Sequence, residues 1–178
     1  PLDMVQDQLR ELLVQQEKEE KRATIISEAK RGRAFVLALP APVAPEVKIE
    51  IEGFPSKGNP DAKVTIIEFA DYQCPHCKSA ANAISQIVKS YGNDVRVVYM
   101  DFPINRSGIS RAVAEGAACA DRQGKFWPYH DLAFEQQQNL NSDSGIGFAK
   151  KLGIDVDAFK TCLSSQFPRD RIAKSEGE

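Results

Sequence analysis

Histidine, methionine and tryptophan are scarce in this chain of 178 residues: two, two and one. Two histidines are too few for a histidine-rich metal site, and no metal or cofactor is expected. No apolar run approaches the roughly 18 residues that would suggest a membrane-spanning helix, so no membrane span is expected either. Neither sign of charge prevails. With 23 Lys and Arg against 25 Asp and Glu, the net charge is −2, which leaves no electrostatic footprint for nucleic acid. The opening Pro1-Leu2-Asp3-Met4 is acidic and lacks the apolar stretch of a secretion signal. The chain is expected either to be cytoplasmic or to begin after a removed segment. Repeats and low-complexity tracts are missing as well. What is present, 42% apolar and 27% charged residues, fits one globular domain with an appendage. There are four cysteines. An even count is compatible with an oxidising compartment without establishing one.

The appendage is residues 1–31. Residues 2 to about 31 contain no Gly or Pro and read as one long helix. Leu2, Val5, Leu9, Leu12, Gln16, Glu19, Ala23 and Ile26 follow the alternating three- and four-residue steps of a coiled coil. One helix cannot hide that stripe from water. It reads either as an arm that makes a homo-oligomer, or as a helix folded back on its own domain or partly frayed. Residues 32–60 read as a Pro-rich linker, with Pro40, Pro42, Pro45, Pro55 and Pro60. Within it, residues 47–52 alternate apolar and charged side chains, the pattern of a short half-buried strand. Residues 61–178 form the main domain, of α/β class. Val64–Ala70 and Val95–Met100 read as buried strands on either side of a helix from Pro75 to Tyr91. Helical segments follow at about 109–123, 126–138, 144–152 and 155–164, a helical insertion rather than further βα units.

Cys74-Pro75-His76-Cys77 stands where the first strand gives way to the helix. A helix start carries unpaired N–H groups and partial positive charge, which stabilise a thiolate. Pro75 suits the first helical position, since its missing N–H would have had no partner there. Cys74 is then the exposed, ionisable cap residue. Cys77, one turn later, is placed to attack a mixed disulfide from within. His76 adds positive charge beside Cys74. These effects favour the reduced thiolate, so the disulfide is readily given away. A Cys-x-x-Cys pair also serves zinc, but a zinc site would usually bring a second close pair, and this chain has none.

The run from Val64 to Cys77 resembles the active-site segment of the DsbA-like thiol–disulfide oxidoreductases of the thioredoxin superfamily. Gln123–Asp131, with its Phe126-Trp127-Pro128-Tyr129-His130, is similar to that family's helical-insertion signature. So is Leu152-Gly153-Ile154-Asp155 with Phe159, Cys162 and Leu163 after it. The resemblance spans about residues 58–170. It implies a thioredoxin fold with an inserted helical subdomain (about 109–164), an extracytoplasmic setting such as the periplasm, protein thiols and disulfides as substrates, and a redox partner protein. It carries the nucleophile onto Cys74 and the resolving thiol onto Cys77. One departure stands out: the family ends in a β-hairpin with a cis-proline beside the active cysteines. Here the end of the chain looks like the opening of another helix, so the C-terminal hairpin is missing from this sequence.

Three further residues, Glu68, Cys119 and Cys162, stand out. Glu68 lies in the apolar strand six residues before Cys74. Thioredoxin-like proteins often place a buried acid at this spacing to exchange protons with the resolving cysteine, and burial would raise its pKa. Strand alternation that simply points Glu68 to solvent remains the other reading. Cys119 and Cys162 are either two separate core thiols or, as the resemblance and an oxidising setting favour, a structural disulfide. Phe126–His130 reads as packing, and His130 is given no role. The leading function is a dithiol oxidase. An oligomeric disulfide isomerase or reductase, and a copper- or zinc-binding tolerance protein using the same pair, are the alternatives.

Overall fold

The structure is a computed structural model that describes residues 2–31 and 46–178, and within the first segment the side chains of 13–28, 30 and 31. It divides into two units, Pro1–Val47 and Lys48–Glu178. In the first unit, α1 runs from Leu2 to Lys30. Leu13, Val14, Ile25 and Ile26 are exposed along it, and Lys21 pairs with Glu17 one turn away at 2.7 Å. Four residues of the expected seam, Leu2, Val5, Leu9 and Leu12, have side chains outside the described residues, as do Pro40, Pro42 and Pro45 of the linker.

The second unit begins earlier than expected. The stretch 48–60 belongs to the domain rather than to a linker, and its strand is not in residues 47–52. Ile49 and Ile51 are half-buried, so the alternation does track burial, but among the described residues the segment pairs with no strand. The pairing partner is instead β1 (Ser56–Gly58), antiparallel to β3 (Val95–Asp101). β1 occupies that edge of β3, so the alternating residues contribute side chains to one sheet face without joining the ladder. On its other side β3 pairs in parallel with β2 (Val64–Ala70), giving the order β1-β3-β2.

Because residues opposite one another in a sheet share a face, the register sorts the side chains. Ile67, Val98 and Met100 lie on one face with Phe54, Ile49 and Ile51. Lys57, Val97, Tyr99, Glu68 and Ala70 lie on the other. This second face meets the larger core, which α2 (Pro75–Tyr91) joins through Ala81 and the helical subdomain joins through Val113, Ala117, Phe126, Tyr129, Phe134 and Phe159. That subdomain comprises α3 (Ile109–Asp121), α4 (Phe126–Glu135), a 3₁₀ turn (Gln137–Asn139), α5 (Ser144–Lys151) and α6 (Val156–Ser164). α3 is its centre, packing on α4, α5 and α6 and on the last helix, α7 (Phe167–Glu176). Gly116 makes one close approach possible: a Cβ there would stand 2.1 Å from the Tyr129 hydroxyl. Cys119 of α3 and Cys162 of α6 are bonded, with their Cα atoms 5.7 Å apart.

Among the described residues no strand follows β3. Instead α7 (Phe167–Glu176) opens with Pro168 in its first turn. It packs on α3 and β3, and its buried Arg171 reaches Asp121 at 2.8 Å and Asp101, at the end of β3, at 3.4 Å. β2 is therefore an outer strand of the described sheet, with Val64 and Phe69 exposed along it.

Candidate active site

β2 ends at Ala70, and four residues later Cys74 caps α2 with extended dihedrals (φ −80°, ψ 118°) and no side-chain capping bond. Its sulfur is thus free of the role that a serine or aspartate would have there. Cys74 and Cys77 are both unbonded thiols, partly exposed. The Cys77 N–H, the Cys77 thiol and the His76 N–H hold the Cys74 thiol below its ordinary pKa, against some desolvation and the charge of Asp71. Burial above all, with the Cys74 thiol and the Asp71 charge added, pushes Cys77 up to about 11. His76 is exposed, and what it brings to Cys74 in this geometry is its backbone N–H.

Two residues that the sequence did not single out shape the junction. Asp71 is buried, and its carboxylate accepts four hydrogen bonds: from the N–H groups of Gln73 (2.6 Å), Ile104 (2.9 Å) and Asn105 (2.9 Å) and from the Ser110 hydroxyl. It therefore ties the Cys74 turn to the segment leaving β3 and to the start of α3. Gln137, buried on the 3₁₀ turn, donates through its amide to the carbonyls of Tyr72 and Cys74, both at 2.9 Å. Asp71 announced itself only as an acid closing an apolar strand. Gln137 carried no signal in a run of three glutamines, because its partners are backbone atoms more than sixty residues away.

Glu68 lies inside. It is 8% exposed, its Oε1 has no hydrogen-bond partner among the described residues, and burial, partly offset by Lys57, raises its pKa to about 7. Of the two readings of the strand, burial is the observed one. Lys57 of β1 and Glu68 flank β3 on the same sheet face, opposite Val97 and Tyr99 respectively. Sequence reasoning missed Lys57, since only the register of β1 brings it there. Cys119 and Cys162 lie elsewhere, inside the helical subdomain, and form no part of this site. His130, given no role, is buried and enclosed by Tyr72, Tyr99, Phe126, Trp127 and Phe134.

A family model described as "Thioredoxin" matches residues 52–176, most of the chain. The chain belongs to the thioredoxin family. Solved structures place it in the DsbA-like part of that superfamily. A thioredoxin-like oxidoreductase from Silicibacter pomeroyi is 30% identical, with a TM-score of 0.64 over 70% of this chain and 70% of that one. The thiol-disulfide exchange protein alpha-DsbA2 from Wolbachia pipientis is 25% identical, with a TM-score of 0.63 over 69% of this chain and 67% of that one. Among curated proteins, the Na(+)/H(+) antiporter NhaA of Herminiimonas arsenicoxydans is 33% identical over 136 residues, which is 76% of this chain and 21% of that protein. The chain spans about a fifth of the length of the curated relatives it matches. No described helix is long and apolar enough to cross a membrane.

Proposed function

We propose that this thioredoxin-family domain is a thiol–disulfide oxidoreductase that works as a dithiol oxidase on folding proteins. The observation that carries this reading is the placement of two unbonded thiols at one helix start, Cys74 as its cap and Cys77 one turn inside, where the Cys74 thiol is held low and the Cys77 thiol pushed up. In the oxidised protein, a substrate thiolate attacks Cys74 Sγ, the Cys74–Cys77 bond breaks, and Cys77 leaves with the electron pair and takes up a proton. A second substrate thiolate then attacks the mixed disulfide, and Cys74 departs as a thiolate. The substrate loses two electrons and the pair gains them. A low pKa makes Cys74 a good leaving group, and this drives the step in the oxidising direction. Glu68 has a pKa near neutrality and lies on the sheet face that α2 covers, so it serves as the proton donor to Cys77. The reading adds the charge of the His76 ring to the backbone N–H that this residue turns on Cys74. A separate redox partner protein returns the pair to the disulfide.

An extracytoplasmic site of action fits the buried Cys119–Cys162 bond, since such bonds persist where thiols are oxidised. The second reading, an oligomeric isomerase or reductase, draws support from the exposed Leu13, Val14, Ile25 and Ile26 of α1, which self-association would cover.

Equilibration of the Cys74–Cys77 pair with glutathione buffers, read by trapping free thiols, separates the readings. An oxidase should lie towards about −120 mV, an isomerase nearer about −180 mV and a thioredoxin-like reductase near about −270 mV. A value at the reducing end would overturn the oxidase. Stoichiometric tight binding of Cu(I) or zinc without exchange activity would replace both with the metal-tolerance reading.

A further inference from the structure

Trp127 is the chain's single tryptophan. It opens α4 and lies where α4 meets β1. Its indole N–H donates to the Ser56 carbonyl at 3.1 Å, and the Lys57 ammonium sits 4.1 Å from the centre of its ring. The hydrogen bond fixes the ring on the strand that carries Lys57, and the ring face attracts the ammonium. Lys57 and Glu68 lie on the same face of the sheet with only β3 between them. Two strand spacings of about 4.8 Å separate β1 from β2, a gap that the long side chains of Lys57 and Glu68 narrow from either side.

We propose that Trp127 is a positioning residue of the redox reaction: its ring holds the Lys57 ammonium in place beside the buried Glu68 carboxyl, and so fixes the charge against which Glu68 takes up and gives back its proton. The inference rests on the oxidoreductase reading for its purpose, but the arrangement is testable without it.

The surroundings of Lys57 agree with this assignment. Desolvation lowers its pKa, whereas Asp131 on α4 and Glu68 on β2 favour its charged form. Asp131 lies one turn beyond Trp127 on the same side of α4. Asp131 is in turn faced by His130, whose Nδ1 is 2.9 Å from it, and by Lys89 of α2. His130 is kept towards its neutral form by burial, with the Lys57 charge acting in the same direction. Tyr99 of β3, opposite Glu68 in the register, has its own pKa raised well above the ordinary value, chiefly by burial. Lys57 is therefore the positive charge that acts on Glu68 from this face, and the ring of Trp127 is its apolar support.

Having one tryptophan permits a graded test without reshaping the core. Biosynthetic replacement by mono-, di- and trifluorotryptophan draws electron density from the ring face and weakens cation–π attraction, while shape and the N–H donor remain. The readout is the titration of the Glu68 carboxyl in the reduced protein, followed by carbon-13 NMR and assigned with Glu68→Gln. The midpoint should climb stepwise with fluorine number, by a few tenths of a pH unit in all. Lys57→Met should raise it at least as far, and fluorination should have no further effect in that variant. The pH dependence of the exchange rate with glutathione should move in parallel, and should lose this limb in Glu68→Gln. A midpoint indifferent to fluorination would overturn the assignment, as would one indifferent to Lys57→Met. If the midpoints behave as stated but no exchange is catalysed, the oxidoreductase reading fails and the assignment of Trp127 to Lys57 stands.

Discussion

A carboxylate that accepts four hydrogen bonds is poorly replaced by an amide, which turns a donor towards donors. Asp71→Asn should therefore loosen the Cys74 turn and cost about 2–3 kcal/mol in chemical denaturation. It should also remove a negative charge that raises the pKa of both thiols. The midpoint for alkylation of Cys74 should fall, and the pair should become more oxidising. A midpoint that stayed in place would show that Asp71 acts only by holding the loop. His76 poses the complementary question, since its N–H and its ring act on Cys74 by different routes. His76→Ala keeps the N–H and deletes the ring. If ring charge contributes as proposed, the Cys74 midpoint should rise and the oxidised fraction at fixed glutathione ratio should fall. An unchanged midpoint would leave the backbone N–H as the residue's whole contribution.

Helix α1 carries Leu13, Val14, Ile25 and Ile26 into solvent, and an isolated helix gains nothing by exposing them. If those side chains form a seam between copies, removal of residues 1–31 should leave a monomer with an intact redox pair. Isomerase activity should then drop more than oxidase activity, because two active sites are no longer held together. Sedimentation of the full and shortened chains at micromolar concentration decides this, and a monomeric full chain would refute the seam. Elements with strong local signals were legible in the sequence. Val64–Ala70 is a β-branched and aromatic run, Pro75–Tyr91 has a proline start and a Gly92 boundary, and both appear in the structure with those bounds. β1 was not legible. Ser56–Gly58 has no strand composition, and it is a strand because β3 offers an edge there. The alternating residues 47–52 had the composition and lacked the partner. The same distinction runs through the site: Cys74, Cys77 and Glu68 stand in one local stretch, whereas Lys57, Gln137 and the Asp71 clasp depend on pairings that only the folded chain makes.

At the scale of the molecule, two buried acids set a dependence of stability on pH that is opposite to the usual one for carboxylates. Burial raises Asp101 to about 6, even with Arg171 against it, and raises Glu68 to about 7. Unfolded, both would titrate near about 4. Between those values the folded state holds more protons than the unfolded one, so their contribution is complete at low pH and lost as pH rises through 6 and 7. Denaturation of the reduced protein should show Glu68→Gln gaining on the wild type as pH rises from about 5 to about 7.5. A constant difference over that window would contradict the raised value. Replacing Cys119 and Cys162 by Ala together should cost about 4 kcal/mol on the chain-entropy model for a loop closed over 43 residues. The exchange activity of Cys74 and Cys77 should survive, since the bond lies outside their site. That bond also bears on how the chain acquires its own sulfur linkages. Four cysteines admit three pairings, and the proposed oxidised form uses the one that joins neighbours in order of appearance: Cys74 with Cys77, then Cys119 with Cys162. A polypeptide oxidised as it emerges, N-terminus first, closes the first pair before Cys119 has arrived, and Cys119 then has only Cys162 to meet. Oxidation in that order would deliver the native linkage without the reshuffling of a mispaired thiol.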